Sequence, residues 1–236
     1  MKARKKTAIL ISGRGSNMSA LIRAATESDY PAEIACVISD NAEAAGLAAA
    51  AAAGIPAISV PRTDFAEKAA HEAALEEALA AHGAELICLA GFMRMLSAEF
   101  VARWEGRMIN IHPSLLPLFK GLNTHARALE AGTRIHGCTV HFVAFEMDSG
   151  PIVAQAAVPV IPGETADQLA ERVLRVEHRL YPLGLALVAS GRARLEGGKT
   201  VFAATSDIGW GERASLIVPS SVEEAVNLED LARRTP

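Results

Sequence analysis

The chain is poor in the features that mark several large protein classes. Its 236 residues include three cysteines, Cys36, Cys88 and Cys138, far apart and each set in an apolar run. That spacing excludes a disulfide framework or a zinc site built on cysteine, and it fits reduced, buried thiols. No stretch approaches the roughly 20 apolar residues of a membrane-spanning helix. The apolar run at residues 8–11, behind Lys2, Arg4, Lys5 and Lys6, is too short for the core of a signal peptide, and Ser12-Gly13-Arg14 ends it. A cytoplasmic location is therefore the expectation, with no membrane partner. A basic excess is lacking too. The 27 Asp and Glu against 23 Lys and Arg give a net charge of −4, the wrong sign for a nucleic-acid binder. The basic cluster at the N-terminus reads as a solvated arm.

Half of the residues are apolar, enough to build a proper core in one large domain or two small ones. Residues 7–12 read as a buried strand, 17–26 as a helix, 33–39 as a strand and 42–53 as an alanine-rich helix stopped by Gly54. Residues 57–60 read as a third strand and 86–90 as a fourth. Between them, Asp64 and Glu67 stand at capping-box spacing and predict a helix reaching His82-Gly83. This β-α-β-α-β-α-β order, with continuously apolar strands, predicts an α/β fold. It should be a single domain with a mostly parallel twisted sheet and helices on both faces.

The second half changes character. Residues 108–111 form a short strand running into Pro113, and 113–123 form a loop in which Leu116–Pro117 is a candidate cis bond, a form taken by about 5–6% of such bonds. Residues 124–131 read as a short helix. Strands at 138–145 and 152–160 are joined by the turn Asp148-Ser149-Gly150-Pro151. Thr165 and Gln168 form a second capping box. The helix they open carries Leu169, Val173, Val176 and Leu180 on one face, and Pro182 is expected to kink or interrupt it. Residues 194–202 read as a hairpin about Gly197-Gly198, and 205–236 as a peripheral tail.

Three places could carry chemistry. Ser12-Gly13-Arg14-Gly15-Ser16-Asn17 lies between a strand and a helix, where glycines let a ligand approach the backbone and free N–H groups attract an anion. Met18 stands where the dinucleotide fingerprint needs a third glycine, which favours a single phosphate over a pyrophosphate. A tight turn serving geometry alone is an equally open reading. Asn110 and His112, two apart on a strand, project to one face at its carboxyl end, and an amide beside an imidazole suits oxyanion stabilisation and proton transfer. A polar strand end bonded to loops is the alternative. Asp148 could hold such an imidazole charged, although starting a turn is the commonest use of Asp. The set His112, His125, His136, His141 and Asp148 lacks metal-motif spacing, so no metal is expected. His141, mid-strand among apolar residues, reads as a satisfied core histidine.

Taken together, the segments ILISGRGSNMSALI, LAGFMRMLS, MINIHPSLLPLFKGLNTHARALEAGTRIHGCTVHFV, MDSGPIVAQ and RVEHRLYP resemble the folate-dependent glycinamide ribonucleotide formyltransferases, in that family's order, across roughly residues 7–195. The resemblance implies transfer of a formyl group from 10-formyltetrahydrofolate to the amine of glycinamide ribonucleotide, with no metal, in a monomer or homodimer. It makes residues 1–204 the catalytic domain. It implies a catalytic triad of Asn110, His112 and Asp148, and a ribonucleotide site at Gly15, Ser16, Asn17 and Glu177. Folate contacts are implied at Met93, Arg94, Met95 and Leu96, and in a closing loop of Ala144, Phe145, Glu146, Met147 and Asp148. Lys68 stands where some members carry an arginine near the folate tail; it keeps the charge and loses the fork. Methionyl-tRNA formyltransferases share the Asn-x-His-Pro block but are expected to add a basic C-terminal domain, whereas residues 223–230 here are acidic. Formyltetrahydrofolate hydrolases are expected to carry an N-terminal regulatory domain.

Overall fold

The continuously apolar runs of the first half become buried parallel strands. The computed structural model describes residues 3–203, so the expected tail at 205–236 lies outside the described residues. Strands β1 (Lys5–Ile11), β2 (Ala32–Ser39), β3 (Ala57–Ser59), β4 (Leu86–Leu89) and β5 (Met108–His112) run parallel. β6 (Ile135–Phe142) and β7 (Ile152–Pro159) extend the same sheet antiparallel, giving the order β3-β2-β1-β4-β5-β6-β7. The helices are α1 (Ser16–Ala25), α2 (Ala45–Ala52), α3 (Lys68–Ala81), α4 (Ala98–Arg103), α5 (Thr124–Glu130) and α6 (Ala166–Ala189). The hairpin of β8 (Ala193–Glu196) and β9 (Lys199–Phe202) follows, as its glycine pair predicts.

Strand alternation divides the core into two layers. Ile9 and Ile11 of β1 pack with Met18 and Leu21 of α1 and with Val173, Tyr181 and Leu185 of α6. Ala8 and Leu10 face the other way, onto Leu75 and Leu79 of α3 and Phe100 of α4. The buried Tyr181 hydroxyl lies 2.9 Å from the Leu89 carbonyl and 3.1 Å from that of Ile109, tying α6 to two strands. Helix α6 also sits directly on β6: a Cβ on Gly184 would lie 2.7 Å from Val140 Cγ1. Gly184→Val is therefore expected to destabilise the fold by roughly 1–3 kcal/mol through overpacking. A lower urea midpoint with an unchanged slope is the readout; an unchanged midpoint would show that the contact relaxes freely.

Five details differ from expectation. The N-terminal basic cluster is not a free arm: Lys5 and Lys6 begin β1, and the Arg4 guanidinium donates to the Ala25 and Ala32 carbonyls. Asp64 does not open α3. Residues Arg62–Asp64 form a short 3₁₀ turn, the Arg62 guanidinium holds the Phe65 carbonyl, and α3 starts at Lys68 with no side-chain cap from Glu67. Pro182 does not interrupt α6, which runs as one helix of 24 residues. Buried Leu180, Tyr181, Gly184 and Leu185 clamp both sides of it to the sheet, and that burial outweighs a proline cost of about 3 kcal/mol. β6 spans Ile135–Phe142, so residues 143–145 belong to the loop after it. The short helix α4, capped by the Ser97 hydroxyl on the Phe100 N–H, carries no periodic signal long enough to predict it. By contrast, the Thr165–Gln168 capping box forms in both directions.

The strand order reverses at β1, flanked by β2 and β4. The loops leaving the carboxyl ends of β1, β4 and β5 therefore border one crevice, the usual ligand site of an open α/β sheet.

Candidate active site

Strand parity places Asn110 and His112 together on β5, with Ile111 turned into the core. Asp148 reaches them from the loop after β6. Its backbone is left-handed at φ 52°, a region that Asp and Asn tolerate better than other side chains. Gly150 completes the turn where a Cβ would lie 1.8 Å from the Phe142 carbonyl, so only glycine lets the chain pass. The result brings Asp148 Oδ2 to 3.4 Å from His112 Nδ1 and 2.8 Å from the donating Gly121 N–H. His112 Nε2 lies 3.0 Å from the Phe119 carbonyl. Both ring nitrogens thus face acceptors, an arrangement that suits an imidazolium.

The loop over residues 113–123 is anchored from below. The Thr139 hydroxyl donates to the Ser114 carbonyl and accepts from the Leu116 N–H, and Gln155 donates to the Leu116 carbonyl. The Leu116–Pro117 bond is cis, and Phe119 and Asn123 have positive φ. Arg127 holds the loop's far side, donating to the Lys120 carbonyl with its guanidinium over the Phe119 ring.

Asn110, His112 and Asp148 lie in a cleft of about 580 Å³. Met93, Arg94, Met95 and Leu96 line it on one side, and Ala144, Phe145 and Met147 on another. Met93, Leu122 and Phe145 are 71%, 75% and 63% exposed, so its rim is apolar and adaptable, a surface suited to a flat aromatic ligand. Two residues of the expected folate set, Glu146 and Lys68, do not line this cleft. The Glu146 side chain is exposed off the cleft while its carbonyl accepts from Ser149, because the turn needs that carbonyl. Lys68 borders an adjoining hollow with Arg62 and His71, which shares Arg94, Met95 and Leu96 with the main cleft. Arg94 itself pairs with the buried Asp40.

The loop after β1 has the geometry of an anion site. Gly15 caps α1 at φ 73°, and a Cβ there would lie 3.2 Å from the Gly46 Cα. Ser16 and Asn17 open the helix, where N–H groups have no intrahelical acceptor. Asn17 Nδ2 donates to Glu177 Oε2 at 2.7 Å, which brings α6 to the loop; burial pushes the Glu177 carboxyl up and the Asn17 bond pulls it back. Ser12 Oγ accepts from the Met93 N–H at 2.8 Å, so this loop adjoins the main cleft.

His141 is buried with a partner at each ring nitrogen, as the sequence suggests, and it has a further placement. It lines the cleft instead of only filling the core. It pairs with Asn110 across β5 and β6, with Nε2 3.3 Å from Asn110 Nδ2 and 3.9 Å from Asp148 Oδ1. Burial lowers its pKa, against the Phe142 carbonyl and Asp148, which raise it. Burial also lowers His125 and brings His136 down to about 4, and these two rings stack edge-on. Among the described residues no group of His, Cys, Asp and Glu is placed to hold a metal ion.

The sequence pattern of the formyl transferase family matches residues 5–185, a span that contains every site residue above. The chain belongs to the formyl transferase family. It is 44% identical over 192 residues to the phosphoribosylglycinamide formyltransferase of Haemophilus influenzae, covering 81% of this chain and 91% of that one. It is 50% identical over 195 residues to the trifunctional purine biosynthetic protein adenosine-3 of Gallus gallus, covering 82% of this chain but spanning only 19% of that relative's length. The solved phosphoribosylglycinamide formyltransferase of Brucella melitensis is 60% identical with a TM-score of 0.77, covering 80% of this chain and 97% of that one. The formyl transferase fold is thus that of the seven-stranded sheet described above.

The sequence gives no sign that His141 and Gly121 lie against Asn110 and Asp148. The signal for His141 is cross-strand register, and for Gly121 a backbone donor, neither of which residue type reveals.

Proposed function

We propose that this protein transfers the formyl group of 10-formyltetrahydrofolate to the amine of glycinamide ribonucleotide, giving formylglycinamide ribonucleotide and tetrahydrofolate. The observation that carries this reading is the convergence of an amide, an imidazole and a carboxylate in an apolar-rimmed cleft beside the glycine-capped start of α1. Relatives named phosphoribosylglycinamide formyltransferase support the choice of substrate.

The amine attacks the formyl carbon, and negative charge builds on the formyl oxygen. Asn110 and protonated His112 donate to that oxygen, which replaces the Phe119 carbonyl as acceptor for His112. Interactions of this kind are worth roughly 3–4 kcal/mol when one donor is removed. Asp148 keeps the imidazole charged and relays protons through water. The formyl group arrives activated on the folate, so the protein supplies no nucleophile. The pterin lies along Met93 to Leu96 and under Ala144, Phe145 and Met147. Its acidic tail runs toward Lys68, Arg62 and Arg94, and the ribonucleotide phosphate sits on Gly15, Ser16 and Asn17 with Glu177 at the ribose. The reaction takes place in the cytoplasm.

The test incubates purified protein with 10-formyl folate, with and without glycinamide ribonucleotide, and follows folate absorbance and product mass. Folate release that requires the ribonucleotide is expected. Equal release without it would replace the reading by hydrolysis, and no release in either arm would overturn it.

A further inference from the structure

We propose that His141 is a positioning residue that holds the Asn110 amide with its NH₂ group turned toward the reacting oxygen. The proposal rests on the formyl-transfer reading and adds to it a residue that acts through Asn110.

The hydrogen-bond inventory orients both side chains. His141 Nδ1 lies 2.8 Å from the Phe142 carbonyl, an oxygen that can only accept, so Nδ1 carries the proton. A neutral ring then presents Nε2 as a lone pair. The Asn110 atom facing that lone pair at 3.3 Å must be a donor, so it is Nδ2. One Nδ2 hydrogen is held by His141, and the second points into the cleft, where an oxyanion needs it. Turning the amide over would set its oxygen against the Nε2 lone pair and present a second oxygen to developing negative charge.

The arrangement requires His141 to be neutral. The charged and titratable groups facing it are Asp148 from the loop after β6, His112 from β5 and Lys120 from the loop over the cleft. Asp148 favours a proton on the ring, while His112 and Lys120 oppose one, and burial, the largest influence, opposes it as well. A proton on Nε2 would have two effects. It would stop Nε2 accepting from Asn110, and it would offer Asp148 Oδ1, 3.9 Å away, a competing partner to His112. Neutral His141 therefore keeps Asn110 turned to the substrate and Asp148 committed to His112.

The experiment combines His141→Ala, His141→Gln and Asn110→Ala in a double-mutant cycle on formyl transfer. His141→Ala is expected to lower kcat roughly 10- to 100-fold, less than outright loss of a donor, with KM for both substrates within about threefold. Gln retains an acceptor oxygen and does not titrate, so His141→Gln should recover most of that loss. In the Asn110→Ala background, His141→Ala should change kcat less than about twofold, because the residue through which it acts is gone. Fold losses that multiply in the double variant, or a Gln variant as slow as the Ala variant, would overturn the proposal. Should the variants fail to fold, ¹⁵N spectra of wild-type His141 decide: a proton on Nδ1 near neutral pH supports it, and a proton on Nε2 overturns it. A wild type without formyl transfer would instead overturn the proposed function, and the tautomer would still be readable.

Discussion

Asp148→Asn is expected to lower kcat at neutral pH by roughly a hundredfold to ten-thousandfold, the range a positioned acid–base group contributes, with both substrates still bound. Asn has the same shape and also tolerates the left-handed backbone at φ 52°. Its side-chain oxygen can still accept from the Gly121 N–H, as Asp148 Oδ2 does at 2.8 Å. What is lost is a negative charge 3.4 Å from His112 Nδ1. Without it, a positive charge on the ring has no carboxylate beside Nδ1 to offset it. Activity should therefore recover in part as the pH falls, until the substrate amine takes a proton and stops attacking. The expected result is a narrowed, acid-shifted kcat–pH profile. A profile that overlays the wild type would mean that Asp148 is a turn residue and nothing more.

Gly15→Val should raise KM for the ribonucleotide roughly 10- to 100-fold, while KM for the folate moves by less than about threefold. Gly15 caps α1 at φ 73°, where a β-branched residue is strained whatever space surrounds it. Its Cβ would also lie 3.0 Å from Met18 Cε and 3.2 Å from the Gly46 Cα, which is backbone and cannot turn aside. The loop must shift, and its N–H groups leave the phosphate. A hydrogen bond to a charged group is worth about 1.5–3 kcal/mol, so losing one accounts for the stated range. The main cleft meets this loop at its edge, where Ser12 bonds to Gly91 and Met93. Equal losses for both ligands, measured by calorimetry, would show that the loop serves the fold and binds no anion.

Much of the site is legible in the sequence because it depends on near neighbours. Asn110 and His112 share a face through strand parity, and Pro113 ends the strand just beyond them. Gly15 and the Asp148-Ser149-Gly150 turn announce themselves by residue type. His141 is not legible this way. Its place opposite Asn110 depends on the β5–β6 pairing, and the β6–β7 register shifts between Val140 and His141, so an apolar run with one imidazole reads equally well as core. Glu146 shows the converse: it sits inside a matching segment, but the turn uses its carbonyl and its side chain is exposed.

The sequence by itself determined the order of the main strands and helices other than α4, the parallel first half, the capping box on α6 and the strand-end placement of the polar pair, since periodicity and turn chemistry act over a few residues. Only the tertiary structure decided where α3 begins, that α6 runs unbroken through Pro182, and which histidine faces Asn110. Those outcomes turn on burial and register between segments distant in sequence. There, the free energy of packing α6 onto the sheet exceeds the local cost of a proline, and the pairing partner of a strand fixes what its side chains meet.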